Sequence, residues 1–450
     1  MIAAAVVLML PAPGTSNAER AVRRALAKRT GVVELPDGVL EISSGFEIPA
    51  AAHDLEIRGA ASGGSVVRAS AHFRGRAIFL CERATAIRFS NFSIDGKRPA
   101  TEVRAGLPPY NVAFEKFTPA NGILAAAVSW LTVSGLRFTR ISGFAILVSH
   151  SRNVMITGVT VADSGSRNAL GRNNTTGGIL LEEGTADFRV ADCELRNIRG
   201  NGIWTHSLYT SQRNGNGQIS GNRFDTIGRD AIQVGHAVNV RVEGNSGARV
   251  GFPADAVDME GRAIPVAIDT AGNTSESAYV GNRFEEINGK CIDLDGFHHG
   301  EVRGNHCVNR QAAEAYAYGN FGIVMNNSNP DMQSEGIAIA ENEIDGALFG
   351  GIFVIGSGHT VTHNRLRRMN LAHCNERAAQ FGCYYAAGQP DMLRAGIYLG
   401  SGAERPAPAH DNVIADNEIS GFQMKSRCVL AAPGILARRN RVERNDCRNE

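Results

Sequence analysis

Two short motifs recur along this 450-residue chain at a nearly constant distance from each other. The first is a small-residue entry into a short apolar strand, centred on Ile123, Ile146, Ile179, Ile203, Ile232, Ile268, Ile292, Ile323, Ile352 and Ile397. The second is an asparagine in a turn, at Asn222, Asn245, Asn282, Asn305, Asn342, Asn364 and Asn417. Ile232 precedes Asn245 by 13 residues, as Ile292 precedes Asn305, and Asn222 precedes Ile232 by 10. A repeat of about 23 residues restricts the chain to a stacked, solenoid-like fold.

Short period-2 strands separated by Gly and Asn corners predict an all-β parallel β-helix. Stacked turns lie about 4.8 Å apart, so residues at the same phase form columns. The Ile column is expected in a dry interior. The corner asparagines are expected to take a left-handed conformation and to hydrogen-bond to one another along the axis, which makes them structural. Helical periodicity at residues 19–28 predicts an N-terminal helix that caps the open end of the stack.

The repeated Gly-Ile strands and Gly-Asn corners, with GVVELPDGVLEI at residues 31–42, resemble the right-handed parallel β-helix proteins of the pectate-lyase-like superfamily. The resemblance covers roughly residues 19–447. It implies a right-handed coil with loop insertions that line a groove. Carbohydrate-active enzymes and binding proteins share this fold, so activity has to be argued from the site.

The two ends of the chain and its cysteines predict an exported single domain. Residues 1–18 read as a signal peptide and 19–450 as one β-helix domain, which places the protein in the periplasm or outside the cell. No apolar run is long enough to span a membrane. Cys374 with Cys383, and Cys428 with Cys447, are expected to form disulfides in that oxidising compartment. Cys81, Cys193 and Cys291 are expected to be buried free thiols.

Alternation along each strand places the residues one and three positions after each Ile on the outer surface. The first outward column is Leu124, Leu147, Leu180, Trp204, Gln233, Asp269, Asp293, Val324, Phe353 and Tyr398. The second is Ala126, Ser149, Glu182, His206, Gly235, Ala271, Asp295, Asn326, Ile355 and Gly400. Asp269, Asp293 and Asp295 are thereby expected within about 7 Å of one another. Such crowding raises at least one pKa and supplies a proton donor beside a carboxylate, as glycoside hydrolysis requires.

The arrangement is similar in outline to that of the polygalacturonase family of glycoside hydrolases, where one Asp on one turn and two on the next face the cleft. This chain has Asp-Leu-Asp at residues 293–295 where that family has paired acids. The resemblance implies catalytic roles for Asp269, Asp293 and Asp295. His298, which follows directly, is a candidate proton shuttle.

Insertions between strands predict the walls of a groove along the helix axis. Residues 246–264, 308–320 and 366–394 are expected to form one wall, and residues 206–216, 327–335 and 401–410 the other. The candidate substrate-binding residues are Glu182, Trp204, His206, Gln233, His236, His299, Asn326, Tyr384 and Tyr398.

The sequence therefore predicts a secreted glycoside hydrolase that degrades a polysaccharide or oligosaccharide, with Asp293 as general acid and Asp269 or Asp295 activating water. One alternative is a calcium-assisted polysaccharide lyase or C5-epimerase, with Lys290, Arg303 or a histidine as base. The other is a non-catalytic carbohydrate-binding surface protein. With 46 Lys and Arg against 45 Asp and Glu, the chain carries no general field for nucleic acid. No resident metal or cofactor is predicted, calcium serving only the lyase alternative, and no oligomeric state is indicated.

Overall fold

The computed structural model describes residues 16–104, 106–258, 264–319, 321–374, 383, 391–402, 404–435 and 439–450. Each turn of the coil contributes one short strand to each of three faces, and strands pair in parallel with those of the next turn. The predicted all-β parallel solenoid is confirmed.

The strands are named here by face. Face 1 contains Gly31–Glu34, His53–Arg58, Thr85–Ser90, Ser129–Ser134, Arg152–Thr157, Ala186–Ala191, Asn214–Ser220, Ala237–Glu243, Ala278–Val280, Glu301–Arg303, Ala338–Ala340, Thr360–Thr362, Val413–Ala415 and Arg441–Glu443. Face 2 contains Val39–Ile42, Val66–Ala69, Ser93–Asp95, Arg137–Thr139, Thr160–Ala162, Glu194–Ile198, Arg223–Ile227, Ser246–Val250, Arg283–Ile287, His306–Val308, Glu343–Asp345, Arg365–Met369, Glu418–Gly421 and Asp446–Asn449. Face 3 contains Phe46–Ile48, Ala77–Glu82, Asn121–Ala126, Ile146–Ser149, Ile179–Glu182, Ile203–His206, Ile232–Val234, Val266–Ser275, Lys290–His298, Ile323–Asn326, Ile352–Val354, Ile397–Leu399 and Val429–Ala431.

The interior follows the predicted phase. The repeated isoleucines pair in register on face 3, as in Ile203 with Ile232 and Ile232 with Ile268. All ten are buried in one continuous apolar core that runs the length of the coil. Burial of a branched aliphatic side chain contributes on the order of 1.5–3 kcal/mol, so this column is a main source of stability.

The corner asparagines form a hydrogen-bonded ladder, as predicted. The side-chain amide of Asn222 donates to Asn245 Oδ1 at 2.9 Å, and the same bond recurs turn after turn to Asn445. The predicted left-handed conformation is one residue off. It belongs to the residue before each asparagine, such as Gly221 or Glu341, so that the asparagine side chain can turn inward along the axis.

Helices occur at the N-terminal end and between strands: Asn17–Leu26, Arg98–Thr101 and Phe114–Phe117, with 3-10 turns at Ala254–Ala256, Ala313–Ala315 and Met392–Arg394. The first is the predicted capping helix, which begins and ends two residues earlier than expected. Its first turn is capped by Ser16 Oγ, and Val22 and Leu26 are buried against the first turn of the coil. Residues 1–15 of the predicted signal peptide lie outside the described residues. Within the described part of the chain, no helix has the length and apolarity to cross a membrane.

Three disulfides are present. Cys374–Cys383 and Cys428–Cys447 pair as predicted, and Cys81 and Cys193 are buried thiols. The prediction for Cys291 is wrong, because it is bonded to Cys307 with a Cα–Cα distance of 6.0 Å. Cys291 lies in a face 3 strand and Cys307 in a face 2 strand, and both side chains point into the interior where the two faces meet.

Candidate active site

The outward column predicted on face 3 is present in the structure. Gln233 pairs with Asp269, and Asp269 with Asp293, on successive turns. On the second column, Asp295 pairs with Asn326. Strands of a parallel sheet lie about 4.8 Å apart, so the Asp269 and Asp293 carboxyl groups are direct neighbours.

Both ends of the first outward column are covered. On the N-terminal side, the helix Phe114–Phe117 (the cover segment) lies over the sheet, and Phe114 packs edge-on against Trp204 with ring centroids 5.0 Å apart. On the C-terminal side, Phe353 stacks with Tyr398, which is buried. The polar stretch between these covers carries the candidate site.

Asp269 is positioned by a chain of side-chain amides. Its Oδ2 accepts a hydrogen bond from Gln233 Nε2 at 2.7 Å, and Gln233 Oε1 accepts one from Asn201 Nδ2 at 2.7 Å. Asp269 is only 8% exposed. Burial, followed by the negative charges of Asp230 and Asp293, raises the pKa of Asp269 well above the ordinary 3.8. Asp269 is therefore the proton-holding member of the group.

Asp293 is the anionic member. Its Oδ2 forms an ion pair with the Lys290 ammonium group three residues earlier. Burial lowers the pKa of Lys290, but the charge and hydrogen bond of Asp293, with the charges of Asp269 and Asp295, together raise it overall. Asp293 Oδ1 is buried and accepts no hydrogen bond from the described residues. A carboxylate with one oxygen paired and the other free can act as a nucleophile or a base.

Asp295 is less buried and is held by the loop after the next strand. Its carboxylate accepts hydrogen bonds from the Ser328 backbone N–H at 2.9 Å and from Ser328 Oγ. Burial raises the pKa of Asp295 to about 6, against the lowering effect of the Ser328 hydrogen bonds and with a further rise from the charge of Asp293.

A fourth acid, Asp230, was missed by the sequence analysis. It lies two residues before Ile232, is buried, and accepts a hydrogen bond from the Val266 backbone N–H at 3.0 Å. Burial is the main cause that raises the pKa of Asp230 to about 6, and Asp293 adds to it. A signal was present in the sequence. Asp230 lies two residues before Ile232, as Asn201 lies two residues before Ile203 one turn earlier, and this position is outside the two outward columns.

One groove wall places an exposed aromatic ring near the acids. Tyr209 is 48% exposed, and its hydroxyl accepts a hydrogen bond from Asn329 Nδ2 at 2.6 Å, which joins the loops at 206–216 and 327–335. Its ring lies 5.0 Å from that of His236, which is buried against it. The Tyr209 hydroxyl closely approaches Gly272, which lies three residues after Asp269 on the same strand. Tyr209 was not among the predicted residues.

The predicted histidines separate into two places. His236 lies at the wall with Tyr209, and burial lowers its pKa. His298 follows the bend at Gly296 and pairs with Ser275 on the part of its strand that has crossed toward face 1. Burial lowers the pKa of His298, and its ring packs against that of His299 with centroids 5.4 Å apart.

Several predicted binding residues are enclosed. Glu182 is 0% exposed because its carboxylate accepts hydrogen bonds from the Phe114 and Glu115 backbone N–H groups of the cover segment. Trp204 is buried under Phe114, and His206 is partly covered by both rings. These placements, with that of buried Tyr398, correct the expectation that Glu182, Trp204 and Tyr398 are open to the groove. Tyr384 lies outside the described residues.

Residues that could hold a metal ion lie beside this site. Glu182, Glu183 and His206 present ligand atoms within 4.8 Å of one another. Among the described residues, the aspartates of the site do not form such a group.

Comparison with known proteins agrees with the fold. Residues 116–248 match the family described as "Right handed beta helix region". The chain is a right-handed parallel β-helix protein. No curated protein sequence matches this β-helix protein.

Solved structures resemble this β-helix protein at low sequence identity. PfbA, a surface adhesin of Streptococcus pneumoniae, is 13% identical with a TM-score of 0.57, over 78% of this chain and 88% of PfbA. DFA-IIIase from Arthrobacter chlorophenolicus A6, solved in complex with GF2, is 15% identical with a TM-score of 0.51, over 93% of this chain and 88% of the enzyme. ORF18 of Geobacillus virus E2 is 13% identical with a TM-score of 0.50, over 71% of this chain, which spans 57% of that protein. These likenesses establish a shared coil.

Proposed function

We propose that this β-helix protein is a glycoside hydrolase that cleaves a polysaccharide or oligosaccharide bound over the polar stretch of face 3. The observation that carries the proposal is the division of charge between two neighbouring carboxyl groups. Asp269 is buried and holds a proton, whereas Asp293 on the next turn is paired with Lys290. A proton donor beside a carboxylate is the pair that glycosidic bond cleavage needs.

In this proposal Asp269, rather than Asp293, is the general acid. Asp269 gives its proton to the departing glycosidic oxygen, and the Asp293 carboxylate attacks the anomeric carbon to form a glycosyl ester. Water then hydrolyses the ester, with Asp269 as the base that takes its proton. The spacing of about 4.8 Å between adjacent strands is near the ~5–5.5 Å typical of retaining glycosidases.

The remaining residues of the site bind the sugar. Asp295 and Asn326 offer oxygen and nitrogen atoms for hydroxyl groups, and the exposed ring of Tyr209 offers a flat surface for stacking. The cover segment and the enclosed Phe353–Tyr398 pair bound this stretch on both sides. The site therefore suits a short run of sugar units.

The charge pattern disfavours a lyase or epimerase. The Lys290 ammonium is paired with Asp293 and does not have the free amine that a base requires. Arg303 lies on face 1 in ion pairs with Glu301 and Glu341, away from the acids. A uronate substrate would also place its negative charge beside several carboxyl groups.

Export to the periplasm or the outside of the cell is part of the proposal. Three disulfides support it, because such bonds persist in oxidising compartments. The adhesin PfbA and the enzyme DFA-IIIase show that this coil serves both binding and catalytic proteins, so a carbohydrate-binding surface protein is the alternative to be tested.

The test is incubation of the purified protein with a panel of neutral and uronic polysaccharides and oligosaccharides, with and without a chelator. Reducing ends and ultraviolet absorbance are followed together. Hydrolysis is expected to give new reducing ends with no absorbance. Absorbance from an unsaturated product would identify a lyase instead, and bound sugar with no product would identify a binding protein.

A further inference from the structure

A second group of ionisable side chains lies next to the candidate active site, at the ends of two neighbouring face 3 strands. Glu182 ends the strand Ile179–Glu182 and is followed by Glu183, and His206 ends the next strand. Ligand atoms of these three residues lie within 4.8 Å of one another. Glu115 of the cover segment lies over them, because its backbone N–H donates to Glu182 Oε1 at 2.7 Å.

The carboxylates of this group are held in fixed orientations by other donors. Glu182 accepts from the backbone N–H groups of Phe114 and Glu115. Glu183 accepts from the Leu208 backbone N–H at 2.8 Å and from Ser211 Oγ. Each oxygen has a second lone pair, so these bonds leave ligand capacity and orient it, as outer-shell donors do in metal sites.

Three buried polar atoms at this point have no hydrogen-bond partner among the described residues: Glu115 Oε2, Ser149 Oγ and His206 Nδ1. Ser149 is fully buried and Glu115 is 7% exposed. Ser149 pairs with Glu182 on the adjacent strand, so both side chains point to the same side of face 3. Buried polar atoms nearly always have a partner, and three unpartnered ones at one place indicate a bound species.

The charges also indicate a cation. Glu115, Glu182 and Glu183 are three buried carboxyl groups. The ion pairs that the described residues form with them come from histidines at 3.9 Å, His150 with Glu115 and His206 with Glu182. Buried negative charge that lacks a close positive partner is costly.

We propose that Glu182, Glu183 and His206 bind one divalent transition-metal ion of the zinc class, with Glu115 and Ser149 adjoining it. The imidazole nitrogen distinguishes this donor set from the all-oxygen sets that calcium and magnesium prefer. The ion has a route from solvent, since the side chains of His206 and His150 are 27% and 50% exposed.

The site joins the cover segment to the coil. Glu182 already holds the start of the helix Phe114–Phe117, so a metal ion on Glu182 fixes that segment over the apolar half of face 3. Metal binding is therefore a structural feature of this proposal, independent of the reaction proposed for the aspartates.

The first experiment measures zinc in the full-length protein. The protein is stripped with a chelator, dialysed, incubated with ZnCl2, and passed through gel filtration before elemental analysis. One retained zinc ion per chain and a rise in melting temperature are expected. Co²⁺ in place of zinc is expected to give visible d–d absorption, and anomalous scattering should place the ion between Glu182 and His206. Absence of retained metal, or a metal located elsewhere, would overturn the proposal.

Glu183→Gln and His206→Gln test the ligands, because each keeps the side-chain volume and leaves the Glu182 bonds to the cover segment intact. Each is expected to reduce retained zinc from one ion per chain to near zero. His72→Gln is the matched control, since His72 is exposed and distant in the fold, and it should retain one ion. Equal retention in all three variants would also overturn the proposal. If a ligand variant fails to fold, the metal content and the anomalous position in the unsubstituted protein decide.

Discussion

Substitution of Asp230 by asparagine should stabilise the protein at neutral pH. Asp230 is buried beside Asp269 and Asp293, and burial raises its pKa to about 6 from the ordinary 3.8. The difference is about 2 pKa units, and each unit corresponds to about 1.4 kcal/mol, so the cost of ionising Asp230 in the folded protein is about 3 kcal/mol.

The direction of the stability change follows from the pH at which Asp230 loses its proton in the folded and unfolded states. The folded protein holds the Asp230 proton up to about pH 6, whereas the unfolded chain releases it near pH 3.8. The stability contributed by this proton is fully present below pH 3.8 and is lost as the pH rises through 6. Asparagine does not ionise and can still accept from the Val266 backbone N–H. The variant should therefore gain about 3 kcal/mol relative to the wild type between pH 4 and pH 7.

Urea unfolding of both proteins at half-unit steps from pH 4 to pH 8 measures this difference. The gain should grow by about 1.4 kcal/mol per pH unit between pH 4 and 6 and then level off. Asp187→Asn, at an exposed position of face 1, is the control for the Asp-to-Asn exchange itself. A pH-independent difference for Asp230→Asn, or a variant that loses stability relative to the wild type as the pH rises, would refute the reasoning.

Three further outcomes are expected. Replacing Cys307 by serine should lower the free energy of unfolding by about 3 kcal/mol, because the Cys291–Cys307 bond closes a loop of 16 residues, and denaturant unfolding with and without reductant checks this. Tyr209→Ala should raise KM more than it lowers kcat if the ring stacks on sugar. A lower kcat with an unchanged KM would exclude a binding role. The rate of hydrolysis should fall as the pH rises through the raised pKa of Asp269, since the proton-holding form is the acid, and a rate profile that climbs into the alkaline range would contradict that role.

The fold could be predicted from the sequence because one repeat carries most of it. The phase of the isoleucines determines which residues point inward, and the spacing from Ile to Asn fixes the turn. The same pattern placed Gln233, Asp269 and Asp293 in one column, as the structure shows. Two of the three disulfides were predicted because their partners are close in the sequence.

The errors arose where tertiary contacts decide the environment. Glu182 and Trp204 are outward-facing by phase, but the cover segment Phe114–Phe117 lies over them, and no repeat motif marks that segment. Asp230 stands at a corner outside the two columns considered. Cys291 was taken as a thiol although Cys307 lies only 16 residues away, a shorter separation than the 19 residues between Cys428 and Cys447, so this pairing could have been predicted on the same ground.

The most direct test of the central proposal is the release of reducing ends by the wild type, Asp269→Asn, Asp293→Asn and the control Asp187→Asn, assayed side by side on the same panel of saccharides. The wild type and the control should release reducing ends at equal rates. Loss of the acid or of the nucleophile should lower the rate by at least about 10²-fold, while circular dichroism shows an unchanged fold. Retained activity in Asp269→Asn and Asp293→Asn would contradict the proposal, and so would the absence of any reducing ends from the wild type.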